Sequence, residues 1–372
     1  MIRWWFGALA LLELFVSTAL HILCGLYILS TAVALDVSQA LTIFFRAKPK
    51  TAVDEELEFQ ELSSYGLLPI VLVHGIFGFG KGVVSQALHV SRLGGLSYFA
   101  GAEKKTERVL VPDLGSLTSI HDRARELFYY LKGGRVDYGE EHSRIYGHSR
   151  FGRMYEKGHY PEWDGHHPIH FVAHSAGAQV VRLLQQMLAD KSFEGHHDTN
   201  DNWVLSITSL SGALNGTTRT YLDGMLVEDG RSMQSICLLQ VLRIGVTFYH
   251  WFNFAWLKNY YSFGFEHFNF TWQKTGIMGL VDCLSCNAGP FASGDWVLPD
   301  LTIQGSMKLN SKIKTFPHTF YFSYASKRTR KIMGITFPSS VFGIHPLLLV
   351  RAMQMSQWRH PQDILLPFKG YR

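Results

Sequence analysis

Apolar positions along the chain follow two patterns, which predict buried strands alternating with helices. Continuous apolar runs at Pro69–Val73 and Ile169–Ala173 are typical of strands buried on both faces of a parallel sheet. Residues 122–132 and Ala176–Leu188 show a helical pattern instead. The remaining predicted strands are Trp203–Leu210 and Thr319–Tyr324. Strands that alternate with helices favour an α/β fold, with a mostly parallel sheet and helices on both faces.

The N-terminal region, residues 1–45, predicts a membrane anchor. Within it, residues 14–35 contain no Asp, Glu, Lys or Arg, and about 20 apolar residues suffice to cross a bilayer as a helix. A buried helix is the alternative interpretation. Residues 46–66 form a polar linker, whose first basic residues mildly favour a cytosolic main domain. The predicted location is therefore an endomembrane or the plasma membrane, with a single N-terminal span.

Composition and charge exclude two other classes of protein. Apolar residues make up 47% of the 372 and charged residues 17%, which argues against a disordered chain. The formal net charge is only +5 and shows no basic stripe, so we predict no nucleic-acid partner. Cys283 and Cys286 form a single C-x-x-C, whereas a zinc ribbon needs two such pairs. Two ordinary thiols and a local disulfide both fit this spacing, and the redox compartment stays open.

A serine stands between a predicted strand and a predicted helix. The stretch AHSAG, residues 173–177, resembles the G-x-S-x-G pattern of a nucleophile elbow, where the tight turn admits only small side chains beside the serine. We therefore predict Ser175 as a nucleophile. The backbone N–H of Ala176 and that of Ile76, in the glycine-rich loop after the first strand, would form the oxyanion hole. The alternative is a buried serine at the start of a helix.

Residues 231–290 predict a helical lid over the site. Much of this region is apolar and crowded with aromatic residues, but Gln240, Arg243 and His250 interrupt it, so a second membrane span is not expected. In enzymes that act on lipid, an apolar lid covers the site in water and opens on a lipid surface. A core helix or an inter-subunit helix explains the same pattern equally well.

Four stretches of the sequence resemble the zinc-containing true lipases of the Geobacillus and staphylococcal type and their plant relatives. They are PIVLVHGIFGFG, VDYGEEHSRIYGHSRFGRMY, IHFVAHSAGAQVVRLL and PDLTIQGSMKLNSKIKTFPHTFYFSYASKRT. The resemblance runs from about Pro69 to the C-terminus, so residues 67–372 are expected to form an α/β-hydrolase domain with a helical lid and a zinc-clamped insertion. It implies a triacylglycerol lipase, a carboxylic ester hydrolase of lipid metabolism, acting on acylglycerols or other lipid esters, with a membrane as a further partner.

The same resemblance implies a structural zinc ion. Matched position by position, the family's two aspartates and two histidines fall on Asp122, His142, His148 and Asp300. Zinc accepts imidazole nitrogen and carboxylate oxygen, and four protein ligands close its shell, so the ion would organise the scaffold rather than activate water. Apart from the resemblance, each of these four residues looks like a solvated loop residue. No calcium site is carried over, because the family's calcium ligands correspond largely to positions beyond this sequence.

The resemblance assigns no triad acid or base in this chain. The family's catalytic aspartate and histidine correspond to positions beyond Arg372, so we expect a C-terminally shortened chain that lacks the last strand or strands and a helix. His318, His345, His360 and Asp363 align with neither position and are interpreted as structural or solvent residues. The predicted function is ester hydrolysis through an acyl-serine intermediate. The alternative is a catalytically impaired lipid- or partner-binding protein of the same fold.

Overall fold

The structure is a computed structural model, and it describes residues 68–78, 109–254, 258, 261–327, 329–333 and 335–339, together with residues 15, 19 and 355. The strands, in chain order, are β1 (Ile70–Val73), β2 (Val109–Leu110), β3 (Gly134–Asp137), β4 (Phe151–Tyr155), β5 (Ile169–His174), β6 (Val204–Leu210), β7 (Phe320–Tyr324), β8 (Thr329–Ile332) and β9 (Ile335–Pro338). The central sheet has the order β2-β1-β5-β6-β7. Each neighbouring pair in it is parallel, whereas β3–β4 and β8–β9 are separate antiparallel pairs.

Helices connect these strands. In chain order they are α1 (Ile120–Lys132), α2 (Glu140–Tyr146), α3 (Gly177–Ala189), α4 (Arg219–Asp223), α5 (Leu238–Phe252), α6 (Trp272–Leu284), α7 (Pro290–Ser293), α8 (Val297–Leu301) and α9 (Ile303–Asn310). Short 3-10 turns lie at Asp201–Trp203 and Glu266–Phe268. Parallel neighbours need long crossover connections, and helices such as α3 between β5 and β6 supply them.

The middle of the central sheet is buried, which is why its strands are apolar. Val71 and Val73 on β1 and Phe171 on β5 have no exposed surface. Helix α3 packs on β1, β5 and β6, and α1 packs beside α3. Gly177 permits this close approach, because a Cβ there would lie 2.5 Å from the carbonyl oxygen of Val73. The carboxyl ends of these strands therefore meet at one edge, where ligands bind in open α/β sheets.

The predicted α/β fold is confirmed. The six predicted elements occur, and their observed bounds differ from the predicted ones by one or two residues at an end. The C-x-x-C pair consists of ordinary thiols: Cys283 is buried in α6, Cys286 is exposed after it, and both are free. The domain boundaries predicted at residues 45 and 66 lie outside the described residues and stay predictions.

The predicted membrane anchoring is wrong for the part of the chain that the structure describes. No helix in those residues is both long enough and apolar enough to cross a bilayer. Of the predicted span, residues 14–35, only Phe15 and Ala19 are described, both in helical conformation, and the rest lies outside the described residues.

Candidate functional site

Ser175 lies at a tight turn between β5 and α3. Its φ is +55°, a left-handed conformation that residues other than glycine rarely adopt. The Ser175 N–H donates to the carbonyl of Leu210 on β6 at 3.1 Å, and the Ser175 carbonyl accepts from the Ala213 N–H at 3.2 Å. These two bonds hold the strained residue on both sides, and the residue is only half-buried. Strand, strained serine and helix together form a nucleophile elbow.

The loop after β1 passes directly beside Ser175. Strand β1 pairs with β5, with Val73 opposite Ala173, and a Cβ added at Gly75 would lie 2.8 Å from Cβ and 3.3 Å from Oγ of Ser175. Only glycine allows the backbone to come this close. Among the described residues, neither the Ile76 N–H nor the Ala176 N–H donates to a backbone carbonyl. Their role as oxyanion donors stays a prediction.

A buried arginine holds the carbonyls of this loop. Arg123 on α1 is fully buried, and its Nη2 donates to the carbonyl of His74 and, at 3.4 Å, to that of Gly75. Nε2 of His74 accepts from the Leu114 N–H at 3.4 Å, while Nδ1 lies 2.9 Å from the Gly75 carbonyl oxygen and 3.2 Å from Nη2 of Arg123. Burial, together with Arg123, lowers the pKa of His74 to about 3. The ring is therefore neutral with both nitrogens engaged, and it cannot act as the base for Ser175.

The described residues do not supply a base for Ser175. Within those residues, Ser175 Oγ forms no hydrogen bond with an imidazole or a carboxylate. His318 is exposed in the turn before β7. His345, His360 and Asp363 lie outside the described residues. The triad acid and base are thus not assigned.

Two aspartates and three histidines converge at the N-terminal end of α1. Asp122, His148, His267 and Asp295 bring one ligand atom each to within 4.8 Å of one another. Nε2 of His142 joins them, at 3.2 Å from Oδ1 of Asp122 and 3.3 Å from Oδ2 of Asp295. We call these five residues the Asp–His cluster. With imidazole nitrogens and carboxylate oxygens in a buried pocket, the cluster is a possible metal-binding group.

Local turns and caps bring the cluster residues into place. Ser119 caps α1, and its Oγ accepts from the Asp122 N–H at 3.2 Å, which fixes Asp122 in the first turn. His142 lies on α2, which ends at Gly147 in the left-handed conformation with φ of 72°. That turn reverses the chain, so that His148 meets the same carboxylates as His142. Nε2 of His148 lies 3.2 Å from Oδ2 of Asp295.

The cluster atoms are close together but mostly not hydrogen-bonded. Both carboxylate oxygens of Asp122 and the Nε2 atoms of His148 and His267 are buried, and within the described residues none of them has a hydrogen-bond partner. Buried charged and polar atoms without partners are costly. A cation bound between them would satisfy all of these atoms at once, so the residues present fit a metal ion.

The electrostatics of the cluster also favour a cation. Burial alone would raise the pKa of Asp122, but His142 and His267 hold it well below its usual range. Burial would lower the pKa of His142, yet Asp122 and Asp295 raise it to about 9. Two buried carboxylates in one site thus need positive charge beside them, from an imidazolium or from a metal ion.

Asp300, predicted as the fourth zinc ligand, lies outside the cluster, and Asp295 stands in its place. Oδ2 of Asp300 accepts from the Ile120 N–H at 2.8 Å, one of the unpaired donors at the start of α1. Burial raises the pKa of Asp300 to about 7. Asp300 lies within α8, whereas Asp295 precedes that helix and faces His142 and His148.

Sequence reasoning missed Asp295 and His267. Asp295 stands just before the matched stretch that begins at Pro299, and the next aspartate along the chain is the predicted ligand Asp300. His267 lies in the aromatic stretch FEHFNF, where a single histidine has no spacing that marks it as a ligand. Only the fold brings this part of the chain against α1.

Helices α5 and α6 pack against each other and expose apolar side chains. On α5 the exposed residues are Val241, Ile244, Phe248 and Phe252, which share one face of the helix. The opposite face, with Arg243, Thr247 and His250, is buried. On α6, Ile277 and Met278 are 72% and 70% exposed. An exposed apolar surface of this kind marks a contact with another apolar surface.

Comparison with known proteins connects this geometry to a family. Residues 67–229 match the family model described as "Lipase-like, C-terminal domain". The chain is 30% identical to the lipase of Staphylococcus hyicus over 288 residues, which are 71% of this chain and 41% of that protein. It is also 30% identical to lipase 1 of Staphylococcus aureus (strain MRSA252) over 283 residues, 72% of this chain and 39% of that protein. The chain thus spans about two-fifths of the length of the curated relatives it matches.

Solved structures agree with these matches. The crystal structure of Staphylococcus hyicus lipase is similar with a TM-score of 0.56 at 28% identity, covering 73% of this chain and 70% of that chain. Lipase 1 from Pelosinus fermentans is similar with a TM-score of 0.52 at 27% identity, covering 80% and 78%. EstA from Clostridium botulinum has a TM-score of 0.57 at 24% identity, covering 80% and 70%, and supports the fold alone.

Proposed function

We propose that the chain, which is similar to the staphylococcal lipases, hydrolyses carboxylic esters of lipids through an acyl-serine intermediate. The observation that carries the proposal is the strained Ser175, with φ of +55°, beside a loop whose glycine touches it. Strain of this kind persists only where the surrounding structure enforces it, and it is concentrated at functional sites.

The proposed chemistry uses the groups around Ser175 in sequence. Oγ attacks the ester carbonyl carbon while its proton passes to a base, which no described residue is assigned to be. The N–H groups of Ile76 and Ala176 donate to the oxyanion that forms. The bond to the alcohol then breaks and the alcohol leaves with a proton. Water attacks the acyl-serine, releases the carboxylic acid and restores Ser175.

Zinc is the metal that fits the Asp–His cluster best, because its preferred ligands are imidazole nitrogen and carboxylate oxygen. Asp122, His142, His148 and Asp295 would hold it. When bound, the ion cross-links α1, α2 and the segment before α8 and neutralises the two buried carboxylates. Asp122 is followed directly by Arg123, so the same clamp would steady the arginine that holds the loop beside Ser175.

The substrate class follows from the apolar surface of α5 and α6. A lipid ester such as an acylglycerol presents long acyl chains, and the exposed apolar face of α5 offers matching apolar area. We interpret this pair of helices as the lid that contacts a lipid surface, whether a membrane or an emulsion droplet. The exposed position of this face argues against a core helix.

A fluorophosphonate probe, which reacts with activated serines, tests the proposal. We expect covalent labelling of the wild-type chain and none of Ser175→Ala. Ser211 offers a matched control, because it also follows a central strand with a positive φ, of 48°, and is exposed. Ser211→Ala should be labelled like the wild type.

Two results would count against an ester hydrolase. A folded wild-type chain that takes up no probe would support a lipid-binding protein of the same fold. Labelling that survives in Ser175→Ala would place the reactive serine elsewhere. Circular dichroism of each variant separates loss of chemistry from loss of structure.

A further inference from the structure

His267 reaches the Asp–His cluster from a different part of the chain than the other members. It lies in the 3-10 turn Glu266–Phe268, between α5 and α6. Its Nε2 is 3.0 Å from Oδ2 of Asp122, while Nε2 of His142 faces the other oxygen, Oδ1. The carboxylate of Asp122 therefore lies between two imidazoles, one from α2 and one from the segment after α5.

The contact between His267 and Asp122 is short, yet it is not a hydrogen bond. Within the described residues, Nε2 and Nδ1 of His267 and both oxygens of Asp122 lack hydrogen-bond partners. A cation between these atoms would give each of them a partner. Zinc bonds of about 2.0–2.2 Å in a tetrahedral shell place neighbouring ligand atoms about 3.3 Å apart. The contacts of 3.0 to 3.3 Å within the cluster match that spacing.

His267 is also held firmly in this position. Its carbonyl accepts from the Ser149 N–H at 2.9 Å, one residue after His148. The Asn269 side chain donates to the same carbonyl at 3.0 Å. The ring lies 4.4 Å from that of Tyr138 and 4.7 Å, edge to face, from that of His148. A buried imidazole fixed this way, with no hydrogen-bond partner of its own among the described residues, is preorganised for a ligand.

We propose that His267 is a ligand of the same metal ion as Asp122, His148 and Asp295, with His142 as the fifth. Because it stands outside the two-aspartate, two-histidine set that the family resemblance implies, it adds a protein ligand to the site. The inference rests on the proposed metal in the Asp–His cluster, but not on Ser175 chemistry. Four ligands are usual for zinc, and its shell sometimes expands to five.

A consequence of this ligation is that the metal also fixes the segment that follows α5. In the described residues, this segment touches the scaffold through few backbone bonds, among them Leu117 N–H to the Phe263 carbonyl at 3.2 Å. A bond from His267 to the metal would tie it to α1 directly. The amides of residues 261–271 should therefore be further protected from exchange when metal binds, together with the first turn of α1 and residues 140–148.

The first test uses the wild-type chain and needs no substitution. The metal is removed with a chelator, and hydrogen–deuterium exchange is followed with and without added zinc. We expect zinc to slow amide exchange in residues 261–271 as well as in residues 119–124 and 140–148. Slowing in the last two ranges, with residues 261–271 unchanged, would overturn the role of His267.

The second test replaces His267 with Gln and, as a control, the equally buried His250 with Gln. Cobalt is loaded in place of zinc, and both absorption spectrum and affinity by chelator competition are recorded. Loss of a residue that hydrogen-bonds to a metal ligand lowers metal affinity about 10- to 100-fold. Loss of a ligand itself should therefore weaken cobalt binding by more than about 100-fold and shift the cobalt absorption bands. His250→Gln should keep the wild-type spectrum. An unchanged spectrum in His267→Gln would overturn the proposal.

These outcomes are separate from those of the proposed function. A chain that binds cobalt through Asp122 and Asp295, but not through His267, would keep the metal site and lose only this ligand. A chain that binds no metal would remove both the zinc proposal and this one. Fluorophosphonate labelling of Ser175 reports on the serine in either case.

Discussion

Arg123 connects the two parts of the site at the residue scale. It follows the cluster residue Asp122, is fully buried, and its Nη2 contacts the carbonyls of His74 and Gly75. Burial lowers its pKa only to about 10, so it stays charged at neutral pH. The carbonyl groups it holds belong to the loop that presents the Ile76 N–H. Arg123 thus lies between the Asp–His cluster and the loop beside Ser175, where it would act as a positioning residue.

We expect Arg123→Lys to slow fluorophosphonate labelling of Ser175 on the order of 100-fold, because a small shift of a reacting group has that effect. Lysine keeps the charge but cannot reach two carbonyls with one planar group. Arg153→Lys is the control: Arg153 pairs with Glu126 at 3.2 Å and has no described contact with residues 74–76. The labelling rates of the two variants are compared at equal folded fraction. Equal rates for Arg123→Lys and Arg153→Lys would exclude a positioning role for Arg123.

Asp295 and Asp300 make a matched pair for testing which aspartate binds metal. Asp295→Asn removes a charge that faces His142 and His148, so we expect the metal content to fall to near zero. Asp300→Asn keeps an oxygen for the Ile120 N–H and should change the free energy of unfolding by no more than about 1 kcal/mol. Its metal content should equal that of the wild type. Metal analysis after gel filtration distinguishes them, and the reverse result would restore Asp300 as the ligand.

At the scale of elements, α1 joins two parts of the site. Its N-terminal end carries Asp122 in the cluster and Arg123 against the loop after β1, while its body packs beside α3, which begins just after Ser175. Two acceptors, Ser119 Oγ and Asp300 Oδ2, satisfy donors at the start of α1. Asp122 and Arg123 are consecutive residues whose side chains contact different partners. A rigid start of α1 is needed to hold both side chains in place.

The exposed face of α5 gives a prediction at the same scale. Phe248→Ser with Phe252→Ser removes two rings that stack on each other in the open. We expect hydrolysis of emulsified long-chain esters to fall at least about tenfold, since each ring contributes about 1.5 kcal/mol or more of apolar contact, with hydrolysis of short soluble esters unchanged.

The comparison of the two substrates is the decisive measurement for α5. Equal losses on both would mean that α5 supports the catalytic site itself. A large drop in melting temperature would show that the face is covered in the native protein, as in an inter-subunit helix. Either result would argue against a lipid-contacting lid.

At the scale of the whole molecule, buried neutral histidines make stability depend on pH. Burial lowers the pKa of His74 to about 3 and that of His250 to about 4, against an ordinary value of 6.5. The unfolded chain therefore binds protons at these sites from about pH 6.5 downwards, while the folded chain does not. Above pH 6.5 both histidines are neutral in the folded and in the unfolded chain, so they do not reduce the free energy of unfolding. As the pH falls from 6.5 toward 4, the unfolded chain is protonated first and the free energy of unfolding decreases.

His250→Phe tests this at one of the two sites. The His250 ring lies among Phe263, Phe265 and Phe270, so a phenyl ring should fit with little change at pH 7.5. At pH 5 the wild type should have lost about 2 kcal/mol more of its unfolding free energy than the variant, since each pH unit below the unfolded pKa costs about 1.4 kcal/mol. Urea unfolding at several pH values measures the difference. Parallel curves for the two proteins would show that His250 is protonated in the folded state.

Local signals account for what could be predicted from the sequence. Some patterns can be interpreted from a few neighbouring residues alone. They are the apolar runs of strand length, the serine between small residues and the glycine-rich loop after the first strand. They predicted β1, β5, α3 and the elbow at Ser175 to within two residues at each end. His142 and His148 were predicted by the family resemblance rather than by a local pattern, and in the structure they meet across the turn that ends α2.

Other features depended on contacts between distant parts of the chain. The sequence by itself determined the fold class, because the strand and helix patterns are local. It also predicted Ser175 as the nucleophile, while Asp122, His142 and His148 were predicted through the family resemblance. The tertiary structure alone decided that Asp295, and not Asp300, faces the histidines and that His267 joins them. It also decided that Arg123 supports the loop beside Ser175. The start of α8 decides which of the two aspartate side chains points toward the histidines. No pattern of residues along the chain predicts the direction of a side chain at that position.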